Sequence, residues 1–141
     1  FDLASVVPDL PGEADTPRYL LEHRDIWWVS ANHRLHHMEA HRRGQQWKHG
    51  FGWQARRLSV HGLTRVHIAA YAFLPARHHR LEVDNLRPTL KAAVDGLRPP
   101  QSHLLRDDDD GTVIGTDLRR GGVHGHPWLL LRLVISDLSG K

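Results

Sequence analysis

The clearest hydrophobic patterns along the chain predict two strands. Residues 63–74 predict a strand because alternate positions from Val66 to Ala72 are apolar, and Pro75 is expected to end it. Residues 128–135 are apolar over much of their length, which is typical of a central strand or of one packed on both faces. Both segments are therefore expected to belong to a sheet.

Two further strands are predicted from weaker patterns. The later part of residues 19–29 is expected to be extended, because Trp27, Trp28 and Val29 have strong strand preference, and residues 30–32 would then form a loop. Residues 112–118 are expected to form a strand that follows an acidic loop. The turn region expected after it contains Gly121, Gly122, Gly125 and Pro127.

A long first helix is predicted from about residue 35 to residue 58, on the basis of length and apolar spacing. Three glycines weaken it, each by up to about 1 kcal/mol relative to alanine. They are Gly44, Gly50 and Gly52. Trp47 and Trp53 are expected to pack this helix against the sheet, and the alternative role for them is stacking on an unpaired base.

A second helix is predicted to begin near Asp84 or Asn85, because Pro88 is tolerated only in a first helical turn. It is expected to reach Leu97, before the prolines at 99 and 100. Its apolar stripe consists of Leu86, Leu90, Ala93, Val94 and Leu97.

The order strand, helix, strand, helix, strand, strand predicts an α/β or α+β layer fold with a small mixed sheet and two main helices. A length of 141 residues fits one compact domain. Residues 1–17 are rich in proline and predict an irregular arm, so the domain proper is expected to span residues 18–141.

Composition excludes several classes of protein. The chain has no cysteine, so disulfides and thiolate zinc sites are excluded. No apolar run approaches the roughly 20 residues of a membrane helix, and no secretory pattern opens the sequence. These features predict a cytoplasmic protein that does not enter a membrane.

The net charge of +3 is modest, but the charges are segregated. Residues 31–80 hold nine Lys and Arg, nine of the 13 histidines and a single acid, Glu39. A basic segment followed by acidic ones suits a metal-using enzyme with a polyanionic substrate. A solvated basic helix face is the simpler explanation, and charge alone favours it.

Two carboxylates lie close together at Glu82 and Asp84, just before the second predicted helix. In an extended segment, residues two apart project to the same side, so the pair could share a hard divalent cation such as Mg²⁺. The simpler alternative is that Asp84 or Asn85 caps the helix, since acids favour helix N-termini.

A run of four acids, Asp107 to Asp110, precedes the third strand and could bring another carboxylate to this pair. Three carboxylates suffice to hold one or two Mg²⁺ ions beside a phosphodiester. A solvated acidic loop is the ordinary alternative. Lys91 could contact the scissile phosphate, or it could form a surface pair with Asp95 worth about 0.3–0.5 kcal/mol.

The stretch from Arg80 to Leu97 resembles the motif of the RusA family of Holliday-junction resolvases. That motif has an acid, a spacer and Asp-Asn-Leu, then a lysine and a further Asp-Ala/Gly-Leu on the following helix. A downstream Asp-Asp pair before a strand is matched by the acidic run. Residues 28–34 are similar to the family's first strand and loop but lack its prolines. The resemblance covers roughly residues 24–137.

The resemblance implies a homodimeric, Mg²⁺-dependent endodeoxyribonuclease that resolves four-way DNA junctions by paired nicks, with Mn²⁺ as a possible substitute for Mg²⁺. It places the essential acids at Glu82, Asp84 and one member of the run, with Asp108 as first choice and Asp109 next. It places the essential lysine at Lys91.

The sequence departs from the family's motif in two ways. Glu82 stands where aspartate is common. Lys91 lies seven residues after Asp84, whereas some members place the lysine four residues after it, where this chain has Pro88. The difference of three residues is close to one helical turn, so Lys91 can still lie on the same face of the helix. Arg87 is a weaker substitute for the family's lysine.

The residues expected to contact the DNA backbone are basic: Arg42, Arg43, Lys48, Arg56, Arg57, Arg77 and Arg80. Two alternatives to a junction resolvase stay open. One is a non-catalytic protein that binds branched DNA and retains the fold, and the other is a broader nuclease acting on flaps or forks. A zinc site is a weaker alternative, built from His33, His36, His37 and His41 or from His124 and His126.

Overall fold

A computed structural model describes residues 16–32, 34–106 and 111–140. In this part of the chain there are four strands and two α-helices. The strands are β1 (Arg18–Asp25), β2 (Val66–Pro75), β3 (Val113–His124) and β4 (Leu129–Asp137). The helices are α1 (His37–Arg56) and α2 (Arg87–Asp95), and the 3-10 turns Ala76–His78 and Val83–Leu86 lie between β2 and α2.

The strands form one mixed sheet in the order β1-β4-β2-β3. β4 pairs antiparallel with both β1 and β2, whereas β2 and β3 are parallel. β1, β2 and β3 therefore end at the same side of the sheet, which is also where β4 begins. The interior position of β4 confirms the central strand predicted from its apolar run.

Both helices pack on one face of the sheet. The alternation along β2 places Ile68, Ala70, Ala72 and Leu74 in a core cluster that also contains side chains of both helices. The intervening residues Ala69, Tyr71 and Phe73 join Val134 in a second, smaller cluster on the opposite face. All ten residues of β2 are buried because both of its faces are covered. The structure thus confirms a small single domain with a mixed sheet and two helices.

Glycines allow close packing of α1 and are not breaks in it. A methyl group on Gly96, which caps the end of α2, would clash with the carbonyl oxygen of Lys48 and lie 2.9 Å from the nitrogen of Gly52. A methyl group on Gly50 would overlap the ring of His23 on β1. Tertiary contact at these positions offsets the low helix propensity of glycine.

The prediction that the first strand lies in the later part of residues 19–29 was wrong. β1 ends at Asp25, before Trp27, Trp28 and Val29. The carbonyl of Trp27 accepts a 2.8 Å hydrogen bond from Trp47 Nε1, and that of Trp28 accepts one from Arg43. Bonds to side chains of α1 therefore replace strand pairing in this segment.

The third strand is longer than expected. β3 continues to His124, through two of the glycines that predicted a turn. Gly122 is paired with Phe73, and a methyl group on Gly121 would lie 2.5 Å from the Phe73 ring. The absence of side chains at these two positions lets the chain pass the phenylalanine and remain in the sheet.

The helix ends also differ slightly from the prediction. α2 begins at Arg87 and ends at Asp95, two residues before Leu97, although the whole predicted apolar stripe is buried. In the predicted arm, residues 1–15 lie outside the described part of the chain, and the carbonyl of Pro17 accepts a hydrogen bond from Asp137. Among the described residues, no helix is long and apolar enough to cross a membrane.

Candidate functional site

The acidic motif folds as a 3-10 turn. Glu82 is extended, with φ −74° and ψ 121°, but Asp84 lies within the turn Val83–Leu86. The period-two rule therefore does not apply, and the prediction that both carboxylates project together from an extended segment was wrong.

The capping alternative for this motif was also wrong. Leu86 is the N-cap of α2, and no side chain caps that helix. Asn85 contributes a backbone contact, because its carbonyl accepts a 2.8 Å hydrogen bond from the amide of Ala31. Asp84 therefore does not cap α2, and capping does not explain why an acid occupies this position.

Asp84 is instead bound by an arginine of α2. Arg87 Nε donates to Asp84 Oδ1 over 3.0 Å, and the Asp84 side chain is 81% exposed. Arg87 Nη1 lies 3.4 Å from the hydroxyl of Thr116 on β3. Glu82 is exposed as well. Both carboxylates are therefore open to solvent. Asp84 would have to release Arg87 before its Oδ1 could bind a cation.

Lys91 and Arg87 line one groove of about 660 Å³ between α2 and β3. Val113 and Thr116 form its wall on β3, and Ala31 closes one end. The expected pair of Lys91 with Asp95 is absent, because Asp95 lies 3.8 Å from Arg98 instead. Within the described residues Lys91 has no ion pair. Its ammonium is exposed at the groove.

The acidic run Asp107 to Asp110, with the predicted ligands Asp108 and Asp109, lies outside the described residues. Its flanks are described. Arg106 donates a 2.9 Å hydrogen bond to Leu63, and Thr112 accepts one of 2.8 Å from Val66. β3 begins three residues after the run, at Val113, which lines the groove with Arg87 and Lys91.

A metal site is not complete within the described residues, where no group of three His, Asp or Glu side chains could hold an ion. Glu82 and Asp84 supply oxygen donors of the kind that Mg²⁺ prefers. The acidic run, which the sequence predicts to supply a third donor, lies outside the described residues.

Asp117 is an acid of β3 that the sequence reasoning did not single out. Its Oδ2 lies 3.0 Å from Nε2 of His67, which is almost fully buried on β2. Since Thr116 faces α2, the adjacent Asp117 projects from the opposite face of the sheet. Asp117 is therefore no member of the groove.

Of the seven predicted DNA-binding residues, Arg42, Arg43 and Arg56 form hydrogen bonds with groups of the protein itself. Arg42 and Arg43 both bind Glu39, and their hydrogen bonds lower the pKa of that carboxyl to about 2. Arg56 donates to the carbonyl of Gln101. The others are exposed or half-buried: Arg57, Arg77 and Arg80 are exposed, and Lys48 is half-buried on α1.

The predictions for tryptophan and histidine had mixed outcomes. Trp47 is fully buried under α1, as expected, but the prediction that Trp53 packs on the sheet was wrong, because its side chain is 51% exposed. His36 is the N-cap of α1 and accepts a hydrogen bond from Met38. His33 lies outside the described residues, and those that are described form no three-ligand zinc site.

Comparison with known proteins adds no relative: the sequence matches no protein-family model and no curated protein. The likeness to the RusA family therefore rests on the motif residues alone, and the activity it implies is a proposal.

Proposed function

We propose that this protein is a Mg²⁺-dependent endodeoxyribonuclease that cuts branched DNA, with the four-way junction as its preferred substrate. One observation carries the proposal. A single groove holds the cations Arg87 and Lys91 beside the strand that follows the acidic run, and Arg87 is bonded to Asp84 of the acidic motif.

The donor set suits a hard cation. Glu82, Asp84 and one of Asp108 or Asp109 would hold Mg²⁺, and Mn²⁺ is expected to substitute because it also accepts carboxylate oxygens. When bound, the ion supplies Lewis-acid activation of water and stabilises the leaving oxygen.

The chain's own cations bind the substrate. Lys91 extends an ammonium into the groove, where it can pair with a phosphate oxygen and stabilise the charge that develops there. Arg87 is held between Asp84 and Thr116, so release from the carboxylate leaves its guanidinium facing the same space. A planar guanidinium binds phosphate in a bidentate manner, which orients the strand.

The preference for four-way junctions comes from the likeness to the RusA family and from symmetry. A two-fold homodimer presents two identical sites to a near-symmetric junction, so two symmetric nicks are expected. The exposed Arg77 and Arg80 immediately precede the acidic motif, where they can hold the DNA backbone.

A second candidate function is binding of branched DNA without cleavage. The bond between Arg87 and Asp84 favours it, because the arginine already neutralises a carboxylate that a catalytic metal would need. Glu82 in place of aspartate and the displaced Lys91 point the same way.

A cleavage assay separates the two functions. The parent protein is incubated with a synthetic four-way junction in Mg²⁺, Mn²⁺ or EDTA, beside Asp84→Asn and, as matched control, Asp117→Asn. Metal-dependent symmetric nicks by the parent and the control, but not by Asp84→Asn, are expected. Binding without nicks in either metal overturns the nuclease proposal, and equal cutting of flaps and forks overturns the junction preference.

A further inference from the structure

Two tryptophans lie at one end of the sheet, each stacked against a cation. Trp27 follows β1 and is 47% exposed, and the Arg43 guanidinium lies 4.7 Å from its ring centre. Trp128 precedes β4, and the Arg24 guanidinium lies 4.6 Å from its ring. The ring of His126 stacks parallel to Trp128, with centroids 4.2 Å apart and planes 6° apart.

The strand pairing brings these groups together although they are a hundred residues apart in sequence. Asp25, the last residue of β1, is paired with Leu129, the first residue of β4. Trp27 therefore follows the end of β1, and Trp128 precedes the start of β4, at a point where the two strands are paired.

Each tryptophan lines a cleft. Trp27 lines one of about 380 Å³, together with Arg77 and Pro127. Trp128 lines one of about 680 Å³, together with Arg24 and His126. Pro127 lines the first cleft and its neighbour Trp128 lines the second, so consecutive residues of the chain connect the two clefts. The whole is called the tryptophan surface here, and it consists of Arg24, Trp27, Arg43, Arg77, His126 and Trp128.

This surface carries three arginines together with nearby acids: Glu22, which binds Arg132, lines the Trp128 cleft, and Asp25 accepts a hydrogen bond from the amide of Trp27. Within the part of the chain that the structure describes, Arg24 and Arg77 have no carboxylate partner. Arg43 shares Glu39 with Arg42, so its charge is partly neutralised. Aromatic faces beside guanidinium groups are suited to a ligand with flat rings and negative charges, and a base on Trp128 would take the place of the stacked His126 ring.

The tryptophan surface is also next to the acidic motif. Trp28 packs edge-on against His78, with centroids 5.1 Å apart, and the segment that carries both tryptophans 27 and 28 ends at Ala31, which is bonded to Asn85. Ala31 also lines the groove, so Trp27 lies four residues along the chain from a residue of the groove.

We propose that the tryptophan surface binds unpaired nucleotides of a DNA strand, with bases stacked on Trp27 and Trp128 and phosphates held by Arg24 and Arg77. Unpaired bases occur where a branched duplex opens, so this inference rests on the proposed DNA substrate. It needs neither metal nor cleavage.

The test measures binding of a fluorescent 15-nucleotide oligo(dT) by anisotropy in EDTA. Trp27→Ala and Trp128→Ala are expected to weaken binding about 5- to 100-fold, the range for loss of one base-stacking side chain. The matched control is Trp53→Ala, because Trp53 is equally exposed and stacks with Arg57 at 4.7 Å but lines neither cleft. It is expected to bind as the parent does.

Trp27→Phe separates stacking from loss of fold, since it keeps a flat ring and should retain most of the affinity. Unchanged binding by both alanine variants overturns the inference and leaves a protein partner as the reason for the exposed Trp27 ring. An equal loss in Trp53→Ala overturns it too. Because this assay contains no metal, failure of the nuclease proposal would be seen separately, as absent cleavage by the parent with intact Trp27-dependent binding.

Discussion

Arg87 connects Asp84 to Thr116, with its Nε 3.0 Å from the carboxylate and its Nη1 3.4 Å from the hydroxyl. One side chain thereby joins the acidic motif to β3, across the mouth of the groove. The pair is exposed, with 46% of the arginine and 81% of the aspartate side chain accessible, so its strength is limited by solvent screening. A metal ion bound at Asp84 Oδ1 would compete with Arg87 for that oxygen.

We predict that Arg87→Ala increases the affinity of the acidic motif for Mn²⁺, because the competing guanidinium is removed. Exposed pairs contribute about 0.2–1 kcal/mol, which corresponds to a gain of up to about fivefold. Isothermal titration calorimetry measures it. Arg80→Ala removes the same charge from a nearby exposed position and should give a smaller gain, and equal gains in both variants would contradict direct competition.

The next prediction concerns Glu39, which holds Arg42 and Arg43. Glu39→Gln removes the carboxylate that neutralises both guanidinium groups, although Arg43 keeps its contacts with Trp28 and Trp27, and should strengthen binding to duplex DNA. Each added phosphate contact steepens the dependence of log K on log salt by about 0.9, so a steeper slope is expected as well. Asp137→Asn makes the same charge change at the far end of the sheet. If the slope of Glu39→Gln stays at the parent value, neither arginine contacts DNA.

Gly96→Ala should destabilise the domain, because the new methyl group would meet the backbone of Lys48 and Gly52 where α1 crosses the end of α2. Overpacking of this kind costs about 1–3 kcal/mol in the free energy of unfolding. Urea denaturation gives the value. Gly140→Ala is the control, since nothing lies within 4 Å of its added Cβ. A stability equal to that of the parent would show that the helices can separate without cost.

The stability of the fold should decrease in mild acid through His23. Burial lowers the pKa of this histidine, the smaller effect of Asp25 opposes it, and its ring packs against Trp47 and Phe51. Below about pH 6.5 the unfolded chain therefore takes up a proton that the folded chain resists, and the free energy of unfolding falls as pH falls.

His23→Leu tests this, with urea titrations between pH 8 and pH 5. The variant should show a flatter dependence of stability on pH, because a neutral side chain cannot titrate. His103→Leu, at an exposed histidine, should keep the parent slope. Parallel curves for His23→Leu and the parent would assign the acid sensitivity to other groups, such as His124, whose pKa is also lowered by burial.

The parts of the fold that were predictable are those in which one local pattern dominates. The alternation along β2 and the apolar run of β4 indicate burial directly, because successive side chains of a strand point to opposite faces of the sheet. Trp27 and Trp28 led to a wrong strand prediction because strand preference is only a tendency. Their carbonyls instead accept hydrogen bonds from Trp47 and Arg43, which are distant in sequence. Gly122 stays in β3 because of Phe73, a partner that no local window contains.

The candidate site was predictable as a set of residue types and less so as geometry. The motif placed carboxylates before α2, but the 3-10 turn at Asp84 and its bond to Arg87 depend on how the chain after β2 turns back to the helix. Lys91 lines the groove between α2 and β3 and is not paired with Asp95, the alternative that its spacing suggested. The tryptophan surface had no sequence signal, because Trp27 and Trp128 meet only through the pairing of β1 with β4.

The insertion of β4 between β1 and β2 also constrains the order in which the chain can fold. During synthesis, residues 18–25 emerge early but have no strand partner until residues 129–137 have left the ribosome. Closing so long a loop slows folding, and an unpaired strand invites association with other chains. A nascent chain is thus expected to hold α1, β2 and α2 in a loose collapsed state, and the last strand synthesised would convert it to the native sheet.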